Sequence, residues 1–261
     1  KYIKGLEGFG ITAKTGIDYP GEAANIVHSG RETGPVELAT MSYGQGVAVT
    51  PISMITAISS LANDGKVMKP HFLKELTDQD GNVVQKFEPE VQSISTSEQT
   101  AKDILEIMED VVSQGGAGSI KIPGYRIGGK TGTANKPIPG WYSETDVIAS
   151  FIGVAPIDDP LFTVLIIVDN PKKSKFASTT AGPIAKSLIQ EIFQYLNIEP
   201  EYTEAEKAAM ESSYTKVPNV SGITMEDAIG ILTNAADSKM NLTDAIVEKF
   251  ISKGMAVEHM K

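Results

Sequence analysis

The sequence predicts an α+β fold, an antiparallel sheet covered by helices, and three observations carry that prediction. Val147 to Val154 and Phe162 to Val168 are apolar runs of strand length, joined only through Ala155-Pro156 and the turn Asp158-Asp159-Pro160. A connection that short favours an antiparallel hairpin over a crossover. A third extended run precedes them: Tyr125-Arg126-Ile127 reads as a strand leading into Gly128-Gly129-Lys130-Thr131-Gly132-Thr133-Ala134. Thr179 to Leu196 then has helical spacing, with Pro183 near its start, and would cover one face of the sheet.

The elements before the sheet are read in order. Residues 1 to 34 are rich in glycine and turn signals, among them Tyr19-Pro20-Gly21-Glu22. Gly34-Pro35 opens a short apolar-periodic stretch, Val36 to Met41, interrupted by Ser42-Tyr43-Gly44-Gln45-Gly46. Thr50-Pro51 is a helix start, with threonine as cap and proline in the first turn. Ile52, Ile55, Ile58 and Leu61 follow at helical spacing, and Asn63-Asp64-Gly65 ends the helix. Val67 to Leu76 reads as extended chain around Pro70, and the turn Asp78 to Gly81 lets Asn82 to Phe87 complete a hairpin. Ser97 caps the next helix, whose apolar stripe is Ile104, Leu105, Met108, Val111 and Val112 and whose end is Gly115-Gly116. After the sheet, Glu199, Glu201, Glu204, Glu206 and Glu211 mark an acidic linker or weakly packed helix over 198–215. A small unit with two helical stretches, near 224–235 and 241–253, and a final extended run is expected over 216–261.

Composition narrows the function classes. The 261 residues suit one large domain or a domain with an appendage, and 41% hydrophobic residues suffice for a core. Without cysteine there is no disulfide framework and no thiolate site. His28, His71 and His259 are too dispersed for a metal site, so neither metal nor cofactor is expected. The net charge of -10 and the lack of a long basic stretch argue against nucleic acid; Lys172, Lys173 and Lys175 read as a solvated loop. No apolar run approaches the ~18 residues a membrane span needs. The start, KYIKGLEGFG, lacks an initiator methionine and leads straight into patterned sequence, as the interior of a longer chain with a missing N-terminal anchor would.

The chemistry-bearing run is Lys130-Thr131-Gly132-Thr133. On a strand edge a lysine brings an ammonium toward a cleft, and two threonines two residues apart share a face. A glycine between them lets a substrate approach the backbone. Two hydroxyls and an ammonium on one rim would suit a substrate carboxylate, and the exposed backbone would pair with an extended peptide. The competing reading is a phosphate loop, since Gly124 to Thr131 spells GYRIGGKT and matches G-x-x-x-x-G-K-S/T. The bulky Tyr125, Arg126 and Ile127 and the nearby Gly132 and Pro137 oppose it, because an anion nest must be followed by a helix.

These motifs in this order resemble the class B penicillin-binding proteins. The resemblance runs through Phe9-Gly10, Lys14-Thr15-Gly16-Ile17-Asp18 and Pro20-Gly21-Glu22, then Ser42-Tyr43-Gly44-Gln45-Gly46 and Val49-Thr50-Pro51. It continues through Ala62-Asn63-Asp64-Gly65, Pro70, Lys130 to Ala134, Phe151-Ile152-Gly153 and Pro156. It implies the penicillin-binding protein/serine beta-lactamase-like transpeptidase fold over 1–197, incomplete at its N-terminal side. Val217-Pro218-Asn219-Val220, Gly222, Asp227-Ala228 and Lys253 to Glu258 resemble a partial or degenerate PASTA module over 216–261.

The implied activity is D,D-transpeptidation through an acyl-serine, with stem peptides ending in D-Ala-D-Ala and beta-lactam antibiotics as partners. Partners in the cell-wall synthesis machinery and a place at the extracytoplasmic face of the bacterial membrane are also implied. On the resemblance Lys130, Thr131 and Gly132 are catalytic, Thr131, Thr133 and Gly132 bind substrate, and the backbone near Thr133 is an oxyanion-hole donor. Trp141 and Tyr142 are read either as cleft rim, binding substrate, or as a loop closed over the core; Gln45 either shapes the cleft floor or forms a turn. The family's Ser-x-x-Lys and Ser-x-Asn are expected upstream of Lys1. Ser213-Tyr214-Thr215-Lys216 matches the first by spelling alone, in the acidic linker. The alternatives are a sensor of beta-lactam or muropeptide with the same fold, or an inactive fragment.

Overall fold

A computed structural model describes residues 1–28, 33–213 and 224–231. The chain forms two compact units, Lys1–Glu201 and Tyr202–Lys261. The first holds three short helices, α1 (Tyr2–Gly8), α2 (Pro35–Ser42) and α3 (Pro51–Ser59). Strands β1 (Lys66–Met68), β2 (Glu75–Thr77), β3 (Val83–Lys86) and β4 (Val91–Ile94) follow, then helix α4 (Glu98–Ser113). The main sheet contains β5 (Gly128–Ile138), β6 (Trp141–Ala155) and β7 (Phe162–Asp169), in that order and antiparallel throughout. Helix α5 (Ala181–Tyr195) packs on it.

Helix starts follow the capping chemistry in the sequence. The Thr50 hydroxyl accepts from Ser53 N–H, and the Ser97 hydroxyl accepts from Thr100 N–H, each satisfying a first-turn donor. In α4 the stripe buries Ala101, Leu105, Met108 and Val112. Helix α3 ends through Leu61–Asn63, a 3-10 turn, into Asp64 and Gly65, both at positive φ. A side chain at Gly65 would stand 2.2 Å from the Thr96 carbonyl oxygen, so the close approach as well as the backbone angle requires glycine.

Each face of the main sheet has its own core. Phe151, Val164, Ile127 and Ile120 pack with Ala181, Ala185, Ile189 and Phe193 from α5 on one face. Val154 packs with Leu61, Ala101, Leu105, Met108 and Ile157 on the other. Tyr125 stacks on Phe193 at 4.1 Å between ring centres, and its hydroxyl donates to the Ile198 carbonyl.

Four expectations are corrected. Residues 1 to 8 are not only turns: α1 forms there, and the Tyr2 hydroxyl ties it to the Met41 carbonyl at 2.8 Å. Tyr125-Arg126-Ile127 is not a strand; the ladder begins at Gly128, and Arg126 is occupied by ion pairs to Glu109 on α4 and Asp158 in the β6–β7 turn. A fourth short strand, β4, pairs with β1. Strand β6 begins at Trp141, not Val147, so β5 and β6 form one long hairpin turning at Gly140 (φ 78°). Pro137 reads as a breaker in sequence, yet an edge strand tolerates proline at a register shift, and the shift lies between Asn135 and Pro137.

The segment before α2 is held by two carboxylates. Glu22 accepts from Thr15 N–H (2.6 Å), the Thr15 hydroxyl (2.7 Å) and Gly16 N–H (3.0 Å). Asp18 accepts from the N–H groups of Phe72 (2.8 Å) and Leu73 (2.9 Å), more than fifty residues away. In the second unit, α6 (Glu204–Ser213) occupies most of the expected acidic linker, and Thr203 and Glu206 cap its start reciprocally. Residues 225–231 are helical behind the Thr224–Asp227 cap. The rest of the expected PASTA-like stretch lies outside the described residues.

Burial pushes the Glu22 carboxyl up, but the hydrogen bonds from Thr15 and Gly16 outweigh it and hold the group below the ordinary 4.5. A carboxylate lowered in the folded state stabilises fully above its unfolded value, and that contribution is lost as pH falls through the folded value. Urea midpoints measured from pH 6 to pH 3 should fall steeply below about pH 4.5. In Glu22→Gln the acid branch should be shallower and the pH 6 midpoint lower.

Candidate active site

Strand β5 is an edge of the main sheet, paired with β6 on one side and with no strand on the other among the described residues. Its start is wedged between the two cores. A side chain at Gly128 would stand 2.6 Å from Ile157 and 3.1 Å from Met108; one at Gly129 would stand 2.3 Å from the Phe151 ring. Both glycines are therefore packing residues. They fix the strand's rotation, and strand alternation assigns every later side chain to a face.

Gly129, Thr131 and Thr133 share the Phe151 face, since Thr131 lies opposite Phe151 and Thr133 opposite Ala149. Lys130 and Gly132, opposite Ile152 and Ser150, share the Val154 face. The two threonines thus share a face, as alternation predicts, and the Lys130 ammonium stems from the other. Lys130 Nζ donates back to the Thr131 carbonyl at 2.7 Å. Lys130 and Thr133 are exposed, and Thr131 and Gly132 partly so.

Trp141 and Tyr142 lie in β6 beside the hairpin turn, opposite Ile138 and Pro137. Trp141 is 75% exposed, so it does not close over the core. The turn is five strand steps beyond Thr133, about 17 Å along the strand, so the two rings stand away from the Lys-Thr-Gly run. That end of the hairpin is tied down. Asn135 donates to the Ser143 carbonyl, the buried Ser143 hydroxyl accepts from Thr145 and Asp146 N–H, Lys136 pairs with Asp169, and Lys175 donates to the Glu144 carbonyl.

The phosphate-loop spelling is resolved by context. Gly128 to Thr133 lies inside a strand, so the helix N-terminus that would receive a phosphate is absent there. Context also separates the chain's two Lys-Thr-Gly triplets. Thr15 is 4% exposed and its hydroxyl is spent on Glu22, whereas Thr131 and Thr133 stand at an open edge. Gln45 sits in a turn, its N–H bonded to the Thr40 carbonyl between Gly44 and Gly46, both at positive φ. No cluster of three metal-ligating residues occurs among the described residues. Ser213 ends α6, and Tyr214 to Lys216 of the Ser-x-x-Lys spelling lie outside the described residues. Sequence reading missed Ser150, whose place opposite Gly132 emerges only once register is known.

The same geometry divides the β5 glycines by their tolerance to a methyl group. Gly129→Ala must displace the Phe151 ring and should destabilise the chain by about 1–3 kcal/mol. Gly132→Ala meets only the Ser150 hydroxyl, which can rotate, and should stay within about 1 kcal/mol of the parent sequence. Urea unfolding of the two variants checks the contrast.

Comparison with known proteins agrees with this geometry. Residues 1–190 match the family model described as penicillin binding protein transpeptidase domain. Stage V sporulation protein D of Bacillus subtilis is 37% identical over 262 residues, spanning 99% of this chain and 41% of that protein. A probable peptidoglycan D,D-transpeptidase PenA of Neisseria gonorrhoeae is 30% identical over 74% of this chain and 31% of its own length. Among solved structures, penicillin-binding protein 3 of Mycobacterium tuberculosis complexed with ampicillin superposes with a TM-score of 0.72 at 27% identity, covering 78% of this chain and 47% of that one. The transpeptidase domain of penicillin-binding protein 3 from Burkholderia pseudomallei gives 0.67 at 30% identity, covering 77% and 59%. The chain thus spans less than half the length of the curated relatives it matches.

Proposed function

The chain belongs to the penicillin-binding protein transpeptidase family, and on that footing we propose that it supplies one wall of a peptidoglycan D,D-transpeptidase site. The observation that carries this reading is the edge strand β5, with Lys130, Thr131, Gly132 and Thr133 at its open side. A stem peptide adds to that edge as an extended strand. Thr131 and Thr133 hold its terminal carboxylate or that of a beta-lactam, Lys130 supplies positive charge at the same edge, and Gly132 leaves room for the approach. The backbone near Thr133 donates to the oxyanion.

The nucleophile is a serine supplied from outside this chain, in the longer parent protein. Its oxygen bonds to the carbonyl carbon of the D-Ala-D-Ala linkage, its proton passes to a neighbouring base, and D-alanine leaves protonated. An amine of a second stem peptide then attacks the ester and releases the serine. The parent acts at the extracytoplasmic face of the membrane, held by an N-terminal anchor and working with the cell-wall synthesis machinery. Among the described residues no helix is long and apolar enough to cross a membrane. Trp141 and Tyr142, so far along the hairpin, contact distal parts of the substrate. By sequence resemblance alone, residues 216–261 are assigned to a PASTA-like module.

Coverage favours a sporulation role. The sporulation protein is matched along 99% of this chain, whereas the transpeptidases PenA and PbpB are matched along 74–76%.

The test is covalent labelling with a fluorescent penicillin. The full-length parent should form a stable labelled band and release D-alanine from a D-Ala-D-Ala peptide; the 261-residue chain alone should not label. Thr131→Val and Thr133→Val in the parent should each lower the labelling rate by about tenfold, the worth of one hydrogen bond to a charged group. An unlabelled parent would sink the proposal. Labelling without turnover of peptide would favour the sensor reading, and labelling of the chain alone would place the nucleophile within it.

A further inference from the structure

Ser150 lies directly across the ladder from Gly132, on the face that also carries Lys130. A Cβ on Gly132 would stand 2.7 Å from the Ser150 Oγ, inside van der Waals contact, so the glycine is what leaves that hydroxyl uncovered. The hydroxyl thus lies beside the bare Cα of Gly132 at the strand surface. The hydroxyl is uncommitted: it makes no hydrogen bond among the described residues. Its place is rigid, because Ala149 and Phe151 on either side are fully buried and the ladder continues on both sides of β6. A polar side chain here adds nothing to the core on the other face, where valine, isoleucine or threonine would suit a strand as well or better.

We propose that Ser150 is a substrate-positioning residue: its hydroxyl donates a hydrogen bond to an oxygen of the acyl donor seated over Gly132. This rests on the transpeptidase reading above. The hydroxyl has one proton to donate there, to a carbonyl or carboxylate oxygen of a peptide ending in D-Ala-D-Ala or of a beta-lactam. Gly132 thereby has a second use besides clearance, since it opens the line between that oxygen and the Ser150 hydroxyl.

The test uses the full-length parent, comparing wild type with Ser150→Ala, Ser150→Val and Ser150→Thr. Penicillin labelling kinetics should be resolved into the dissociation constant of the initial complex and the first-order acylation rate, alongside melting temperatures. Ser150→Ala and Ser150→Val should each lower the second-order labelling constant by about tenfold, mainly through weaker initial binding. Ser150→Thr, which keeps the hydroxyl on a side chain suited to strands, should restore it to within about threefold. Melting temperatures should not follow that order. In a cycle with Gly132→Ala, whose methyl covers the Ser150 hydroxyl, adding Ser150→Ala should cause little further loss.

Equal labelling of Ser150→Ala and wild type would overturn the inference. So would equal losses in the valine and threonine variants, losses that track the melting temperature, or additive losses in the cycle. A wild-type parent that does not label would instead fail the transpeptidase reading itself.

Discussion

The site depends on how the Phe151 ring is accommodated under the edge strand. The ring is fully buried among the side chains of α5, and it fits because Gly129 and Gly153, opposite each other on β5 and β6, present no side chains. With Gly128 fitted just as closely against Met108 and Ile157 on the other face, β5 cannot roll or slip. A one-residue slip would drive Lys130 into the ring, or Ile127 into Met108 and Ile157, and send every later residue to the wrong face. The exposed Lys130 to Thr133 are thus positioned by buried contacts one or two residues away.

The same tripeptide in two contexts shows what makes a motif chemical. Lys14-Thr15-Gly16 and Lys130-Thr131-Gly132 are identical in spelling. In the first, the threonine hydroxyl and two backbone donors converge on Glu22, so its hydrogen-bonding capacity is consumed in holding a loop. In the second, backbone groups on one side are satisfied by β6 while the other side has no strand partner among the described residues. An edge left open normally invites aggregation. Here the bulge near Pro137, the exposed Lys130, the half-buried Lys136 paired with Asp169 and the tied-down hairpin limit it, while the stretch from Thr131 to Thr133 stays accessible.

Much of this was legible in the sequence because it depends on local chemistry. The caps at Thr50 and Ser97, the stripe of α4 and the short β6–β7 connection each follow from neighbouring residues, and the structure contains them. What could not be read depends on pairing. Helix α1 carries no capping side chain, β4 is four residues long, and β6 runs six residues upstream of Val147 because Pro137 is tolerated at an edge bulge. For the site, the residue types and the shared face of Thr131 and Thr133 were legible, since alternation sets Lys130 on the other face. What needed register was the cross-strand partner, which brings Ser150 beside Gly132.

That division has a chemical consequence. A serine nucleophile needs a base within hydrogen-bonding reach and oriented to accept its proton. Lys130 does not offer that arrangement within this chain: its Nζ donates to the carbonyl of its own neighbour, and the threonines lie on the opposite face. What the strand offers is positive charge, hydroxyl donors and unhindered backbone, all of which bind and orient. Such a surface can be held rigid by a core of its own, as β5 is by Phe151 and Met108, without the reacting groups being present. On the proposed reading, the wall that recognises the substrate and the group that reacts with it belong to different parts of the parent chain, and their cooperation rests on β5 holding its register.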